Sequence, residues 1–215
     1  MTKKIKIMSV LFTLAGLFCS SFAQTSNYAP MLNVKEKQSI EAGEIIMREL
    51  EAEQKRGQSI ETIGLMPATG EILVQVLTDY ATYPEFMSAV DTIEIVDAAG
   101  DTTTLNYILR PMLGLTKKYR IKIAPARLDE KVWKIEWRLV VWPGLTEMET
   151  IGDTQGYWLI IEESPTRSLI QYYVYTDPGY VPFGLGGIVD ALGKSSIEEV
   201  FQETRAHAEK MMGSR

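Results

Sequence analysis

Cysteine and histidine are nearly absent from this chain of 215 residues, which contains one of each. The cysteine, Cys19, lies in an N-terminal segment that we expect to be removed, so the mature chain has no disulfide, thiol nucleophile or thiolate metal site. The histidine, His207, lies among Glu, Arg and Lys residues, as is typical of a surface position. A Ser-His-Asp triad would have to use it, and one chain cannot form a multi-histidine metal site. We therefore expect no metal, no cofactor and no catalytic residue.

Long hydrophobic runs are also scarce, and the main one occupies residues 7–18 behind a start with three lysines. Ser21 and Ala23 then have the small side chains of a secretory cleavage site. Because the run is short for a membrane span of about 20 residues, we expect a cleaved signal peptide over residues 1–23 rather than an anchor. Cleavage after Ala23 would make the protein periplasmic or secreted, with no stable transmembrane anchor.

Basic residues are too few for binding to phosphate backbones. The predicted signal peptide contains three of the 22 basic residues and none of the 28 acidic ones, so the mature chain has a net charge of −9. No dense basic cluster compensates for this charge. We therefore exclude sequence-independent nucleic-acid binding and do not expect binding to an anionic membrane by charge alone.

The first part of the mature chain alternates between helical and strand patterns. Residues 24–42 are predicted to form a loose segment and a short helix, and residues 43–212 a single domain that begins with a strand. A second strand is expected over residues 59–66. Residues 68–79 have an apolar stripe at helical spacing, with Thr69 as a plausible N-cap.

A second short helix is predicted to begin at Tyr83, because a proline follows it and proline suits a first helical turn. Thr82 is a candidate cap for this helix. Asp79, at the corner between the two helices, would act as a general base if it faced a cavity. We favour a structural role for it, a hydrogen bond that braces the corner.

The rest of the chain reads as about six antiparallel strands followed by one long helix over residues 182–212. Hairpin turns are predicted at residues 98–101 and 164–167, and the connections are short. Alternation over residues 133–141 places one set of apolar side chains on a common face: Trp133, Ile135, Trp137, Leu139 and Val141. A sheet with one apolar face must cover it, and the long helix is the element large enough to do so.

This layout is an α+β helix-grip architecture: a curved antiparallel sheet of about six to seven strands around a long C-terminal helix, with two short helices after an early strand. A resemblance to a known superfamily rests on these motifs: Pro67-Ala68, Leu77-Thr78-Asp79-Tyr80, Tyr83-Pro84-Glu85-Phe86, Tyr172 and Asp177-Pro178-Gly179-Tyr180-Val181-Pro182. In this order and spacing the chain resembles the START-like (SRPBCC) superfamily, in particular its polyketide cyclase/dehydrase and coenzyme-Q-binding branch. The resemblance spans residues 43–210 and implies a cavity for a hydrophobic ligand.

Candidate lining residues for such a cavity come from the helix corner, the inner strand faces and the long helix. They are Phe86, Met87, Tyr107, Trp133, Trp137, Tyr172, Phe183, Val189 and Leu192. Any one of these side chains could equally pack the core. The glycines at 184, 186 and 187 would let the start of the long helix move as a gate, although they could also reflect close packing or flexibility.

Three functions remain open from the sequence. The favoured one is binding of a hydrophobic small molecule, such as a lipid or a quinone. The second is a cyclase or dehydratase acting on a polyketide-like substrate, which requires a titratable group inside the cavity. The third is a module that docks another envelope protein, for which an exposed apolar patch would be required.

Overall fold

The computed structural model describes residues 27–51, 56–111 and 114–214, with the backbone alone at residues 188 and 190–192. The predicted signal peptide lies outside the described residues. One antiparallel sheet of eight strands dominates the structure, in the order β1-β2-β8-β7-β6-β5-β4-β3. The strands are β1 Ile46–Leu50, β2 Gln58–Met66, β3 Val90–Ala99, β4 Thr102–Leu109, β5 Lys118–Asp129, β6 Val132–Val140, β7 Asp153–Ser164 and β8 Arg167–Asp177.

Within the described ranges, four α-helices and a short 3-10 helix at Tyr80–Thr82 accompany the sheet. The α-helices are α1 Val34–Glu41, α2 Gly70–Thr78, α3 Tyr83–Phe86 and α4 Gly186–Gly213. The predicted helix-grip architecture is confirmed, and the described sheet has slightly more strands than the six to seven expected. One predicted strand position was wrong: Val141 lies beyond the end of β6 and is 83% exposed, because the chain turns there toward Pro143.

The main core fills the concave side of the sheet. The inner faces of β4 to β8 pack against α2 and the C-terminal half of α4, where Phe201, Thr204 and Ala208 are completely buried. A second, smaller core lies on the convex side, where Ile40 of α1 packs with Ile63 of β2 and with apolar residues of β7 and β8. Strand β2 is therefore buried on both faces, whereas simple alternation suggests that only one of its faces is buried.

Hydrogen bonds fix the corner between α2 and α3. Thr69 caps α2 as predicted, since its Oγ1 accepts from the backbone N–H of Ile72 at 3.2 Å. The predicted cap at Thr82 was wrong: its hydroxyl donates to the Asp79 carbonyl at 2.9 Å and makes no side-chain cap bond to α3. Two hydrogen bonds therefore brace the corner. One is the bond from Thr82 to the Asp79 carbonyl, and in the other the Tyr83 hydroxyl donates to the Leu77 carbonyl at 2.7 Å.

Candidate functional site

The concave face of the sheet presents a wall of aromatic side chains toward the helices. Alternation along β4, β5, β6 and β8 directs Tyr107, Tyr119, Trp137 and Tyr172 to this face, and Trp158 of β7 lies between the last two. The strands hold these residues at fixed spacing because cross-strand neighbours share a face.

The aromatic rings of this wall are stacked in pairs. The Tyr107 and Tyr119 rings lie 5.1 Å apart and nearly parallel, and the Trp158 and Tyr172 rings lie 4.0 Å apart. Trp137 is tilted against Tyr172 at 5.8 Å and remains half-buried. These stacked pairs give the wall a flat, apolar surface of the kind that lines pockets for apolar ligands.

Three phenol hydroxyls on this wall have no hydrogen-bond partner within the part of the chain that the structure describes. They are the hydroxyls of Tyr107, Tyr119 and Tyr172. Burial raises the pKa of each of these tyrosines above its usual value, so all three stay protonated at neutral pH. Each hydroxyl can thus donate a hydrogen bond to a carbonyl, hydroxyl or other acceptor that enters the concave side.

Helix α4 packs differently in its two halves. From Ile197 onward its apolar side chains join the main core, and Phe201 lies against Trp158 with ring centroids 6.1 Å apart. In the first half, a Cβ added to Gly186 or Gly187 would meet no described atom within 4 Å. The C-terminal half is therefore anchored in the core, whereas the space around Gly186 and Gly187 at the start of α4 is free of described atoms.

An open cleft of about 610 Å³ lies where β8 leads into α4. Its walls include Gln58 at the start of β2 and the turn formed by Asp177 to Val181. The Gln58 side chain is 4.0 Å from the position of a Cβ on Gly193 of α4. The cleft is thus adjacent to the first half of α4, where a ligand would pass if it entered beside that helix.

The structure brings most of the predicted lining residues to the concave side. Met87 and Trp133 are buried in the main core, where Trp133 covers the first turn of α2 so closely that a Cβ on Gly70 would overlap its ring. Phe86 is half-buried and stacked on His207 at 4.1 Å. The histidine predicted to lie free at the surface is therefore in contact with the helix corner.

Of the three predicted lining residues near the start of α4, Phe183 lies before the helix, and Val189 and Leu192 lie in its first half. Phe183 is completely exposed, because it lies in the turn before α4 next to Gly184, whose φ of +85° reverses the chain. Val189 is half-buried in the first half of α4. Leu192 lies in α4, but its side chain is outside the described residues. Contact of any of the predicted residues with a ligand remains a prediction.

Sequence reasoning missed two members of the aromatic wall. Tyr119 shares a strand face with Ile121 and Ile123 by simple alternation, and this signal is sufficient to include it. Trp158 shares a face with Ile160 by the same alternation, and its cross-strand neighbour is Tyr172. The register between β7 and β8, not visible in either strand alone, is what joins them.

Comparison with solved structures identifies the fold. The START domain of a STAR-related lipid transfer protein from Xanthomonas axonopodis superposes with a TM-score of 0.65 at 14% identity, covering 77% of this chain and 93% of that one. Human StAR-related lipid transfer protein 5 gives 0.69 at 13% identity, covering 79% and 84%. This chain has the START-like helix-grip fold. The Zhui aromatase/cyclase from a Streptomyces species also matches, with a TM-score of 0.59 at 12% identity over 78% and 96% of the two chains.

The START-like fold is shown by structure alone, since no protein-family model and no curated protein matches the sequence. The superfamily resemblance drawn from the helix corner and from the approach to α4 is confirmed at the level of the fold. Across the described residues, no helix combines the length and apolar character needed to cross a membrane.

Proposed function

We propose that this protein binds a hydrophobic small molecule, such as a lipid or a quinone, between the aromatic wall and the first half of α4. The observation that carries the proposal is the pairing of stacked aromatic rings with three phenol hydroxyls that have no hydrogen-bond partner among the described residues. The apolar body of a ligand would cover the rings, and one polar end would accept hydrogen bonds from the phenols. Structural neighbours described as lipid transfer proteins support this assignment.

We further propose that the protein acts in the periplasm or outside the cell. The support is the N-terminal pattern of three lysines, an apolar run and small residues before Gln24. N-terminal sequencing of the protein isolated from its native cell tests this point. A mature protein that begins at Gln24 supports it, and a protein in the cytoplasmic fraction that retains Met1 contradicts it.

Binding without chemistry fits the aromatic wall better than catalysis does. A cyclase or dehydratase requires a base, and the candidate Asp79 is exposed rather than facing the wall. Glu136 of β6 points to the convex face, away from the wall, and is paired with Lys134. The protonated phenols can orient a carbonyl group by donating hydrogen bonds to it. This orientation would occur equally in a bound ligand and in a substrate.

A displacement assay tests the proposed site. cis-Parinaric acid gains fluorescence in an apolar site, and unlabelled palmitate and a short-chain ubiquinone serve as competitors. We expect saturable binding that Trp137→Leu weakens about tenfold, since the half-buried Trp137 ring would lose its contact with the ligand. Trp142→Leu is the matched control, because Trp142 follows β6 and packs under Arg120.

Two outcomes would contradict the proposed site. Absence of saturable binding by the parinaric probe, after removal of any co-purified ligand, would leave the aromatic wall as core packing. An equal loss of affinity in the Trp137 and Trp142 variants would place the probe elsewhere on the protein.

A further inference from the structure

The convex face of the sheet carries a groove that the proposed hydrophobic site does not use. It has a volume of about 450 Å³ and crosses β4 to β8 on the side opposite α4. Its floor is open because Ala124 contributes only a methyl group, and its walls are Lys122, Arg138, Tyr157 and Tyr173. Trp137 of the aromatic wall also reaches the lining of this groove beside Gly156, and the other lining side chains lie on the opposite face of the sheet from that wall.

Two cations, Lys122 and Arg138, face each other across this groove, and Glu136 is the carboxylate among its lining residues. Lys122 and Arg138 are directly opposite on β5 and β6, an arrangement that is unfavourable for like charges. Among the described residues, no carboxylate lies within ion-pair distance of either one, and the nearby Glu136 is paired with Lys134. Both side chains are exposed, so the three N–H donors of Lys122 and the five of Arg138 are available to a ligand. In a chain with an acidic net charge, this local excess of positive charge favours an anion.

The next strands supply a flat apolar wall beside the cations. Tyr157 and Tyr173 are stacked with their rings 5.4 Å apart, and they occupy the row adjacent to Lys122 and Arg138. The ammonium of Lys134 lies 4.6 Å from the Tyr157 ring centroid and covers one side of that ring. The groove thus combines donors for an anionic head with an aromatic surface for its organic body.

We propose that this groove binds a small organic anion, a carboxylate or a phosphate monoester, whose planar or apolar body lies against Tyr157 and Tyr173. Arg138 can hold two oxygens of such a head in a bidentate arrangement, and Lys122 adds a point charge. The anion would relieve the repulsion between the two cations. The occupant is either a free small molecule or the anionic end of a larger one, and both share this chemistry.

Titration of the full-length mature protein with phenyl phosphate, followed by backbone amide shifts in NMR spectra, tests the groove. We expect saturable shifts confined to the groove-facing parts of β5, β6, β7 and β8. Arg138→Gln and Lys122→Gln should each raise the Kd about tenfold or more, the usual loss when a charge-assisted hydrogen bond is removed. Lys131→Gln is the matched control, since Lys131 is an exposed cation in the turn between β5 and β6 and should leave the Kd unchanged.

Two further measurements separate the parts of the proposal. Ala124→Leu fills the floor without changing a charge and should abolish the shifts, while the melting temperature shows that the variant is folded. Inorganic phosphate should bind more weakly than phenyl phosphate, because it cannot contact the tyrosines. If the occupant is the anionic end of a larger molecule, a short-chain lipid with a terminal phosphate should bind at least as well as phenyl phosphate. The proposal would be overturned by an unchanged Kd in both charge variants, or by non-saturating shifts spread over all surface lysines. Equal affinity for inorganic phosphate and phenyl phosphate would overturn the role of the tyrosines.

Discussion

Removal of single hydroxyls from the aromatic wall separates a ligand-binding role from a structural one. Tyr172→Phe deletes a hydroxyl that no described residue engages. Its removal breaks no hydrogen bond within the described residues, so we expect the ligand-free variant to be as stable as the parent protein or more stable. Tyr107→Phe should behave in the same way.

Tyr83→Phe is the matched control, because its hydroxyl donates to the Leu77 carbonyl at 2.7 Å and both are inside the main core. That carbonyl belongs to the last turn of α2, where the helix supplies no N–H for it. Loss of this hydrogen bond should cost about 1–2 kcal/mol. For a domain of this size, each 1 kcal/mol corresponds to a fall of about 2–4 °C in Tm.

Two assays complete this comparison. Thermal unfolding of ligand-free protein should rank Tyr83→Phe clearly below the parent and Tyr172→Phe at or above it. Displacement of parinaric acid should show weaker binding by Tyr172→Phe, since the carboxylate of the probe loses a donor. If Tyr172→Phe is destabilised as much as Tyr83→Phe and binds the probe normally, its hydroxyl has a structural partner and the reasoning is refuted.

Three other outcomes follow from the same packing. Burial raises the pKa of Tyr83, Tyr107, Tyr119 and Tyr172 in the folded state, so above pH about 10 these tyrosines ionise first in the unfolded chain. The free energy of unfolding should therefore fall by about 1.4 kcal/mol per pH unit for each one. Tyrosinate absorbance that reaches the value for all ten tyrosines while the protein stays folded would contradict this. Gly70→Ala should lower the free energy of unfolding, measured by chemical denaturation, by about 1–3 kcal/mol, because the added Cβ overlaps the Trp133 ring. An increase in this free energy would refute the packing. Phe201→Ala should lower the free energy of unfolding by about 3–5 kcal/mol. Phe183→Ala should change it by less than about 0.5 kcal/mol, because Phe183 is exposed. Similar losses in the two variants would count against the placement of Phe183.

The order and type of the elements could be predicted from the sequence because local signals agree with the fold. Thr69 at the start of α2, the proline after Tyr83 and the turns around Gly100 and Pro165 are each determined by a few neighbouring residues. Alternation along β5 and β6 was sufficient to place Trp137 on the concave face.

Features that depend on distant parts of the chain were beyond these local patterns. The burial of both faces of β2 depends on α1 folding over the convex side, and the contact between Phe86 and His207 depends on where α4 crosses the helix corner. Phe183 follows the apolar pattern of α4, but the helix begins after it, at Gly186. The stacking of Trp158 on Tyr172 requires the β7–β8 register.

Native mass spectrometry of the mature protein, purified gently from its native compartment and measured again after denaturation, tests the central proposal most directly. We expect an additional mass of an apolar compound that is present under native conditions and absent after denaturation, and that is reduced in the Trp137→Leu variant. A protein that carries no additional mass, and that takes up none from a native lipid extract, would contradict binding of a hydrophobic ligand at the aromatic wall.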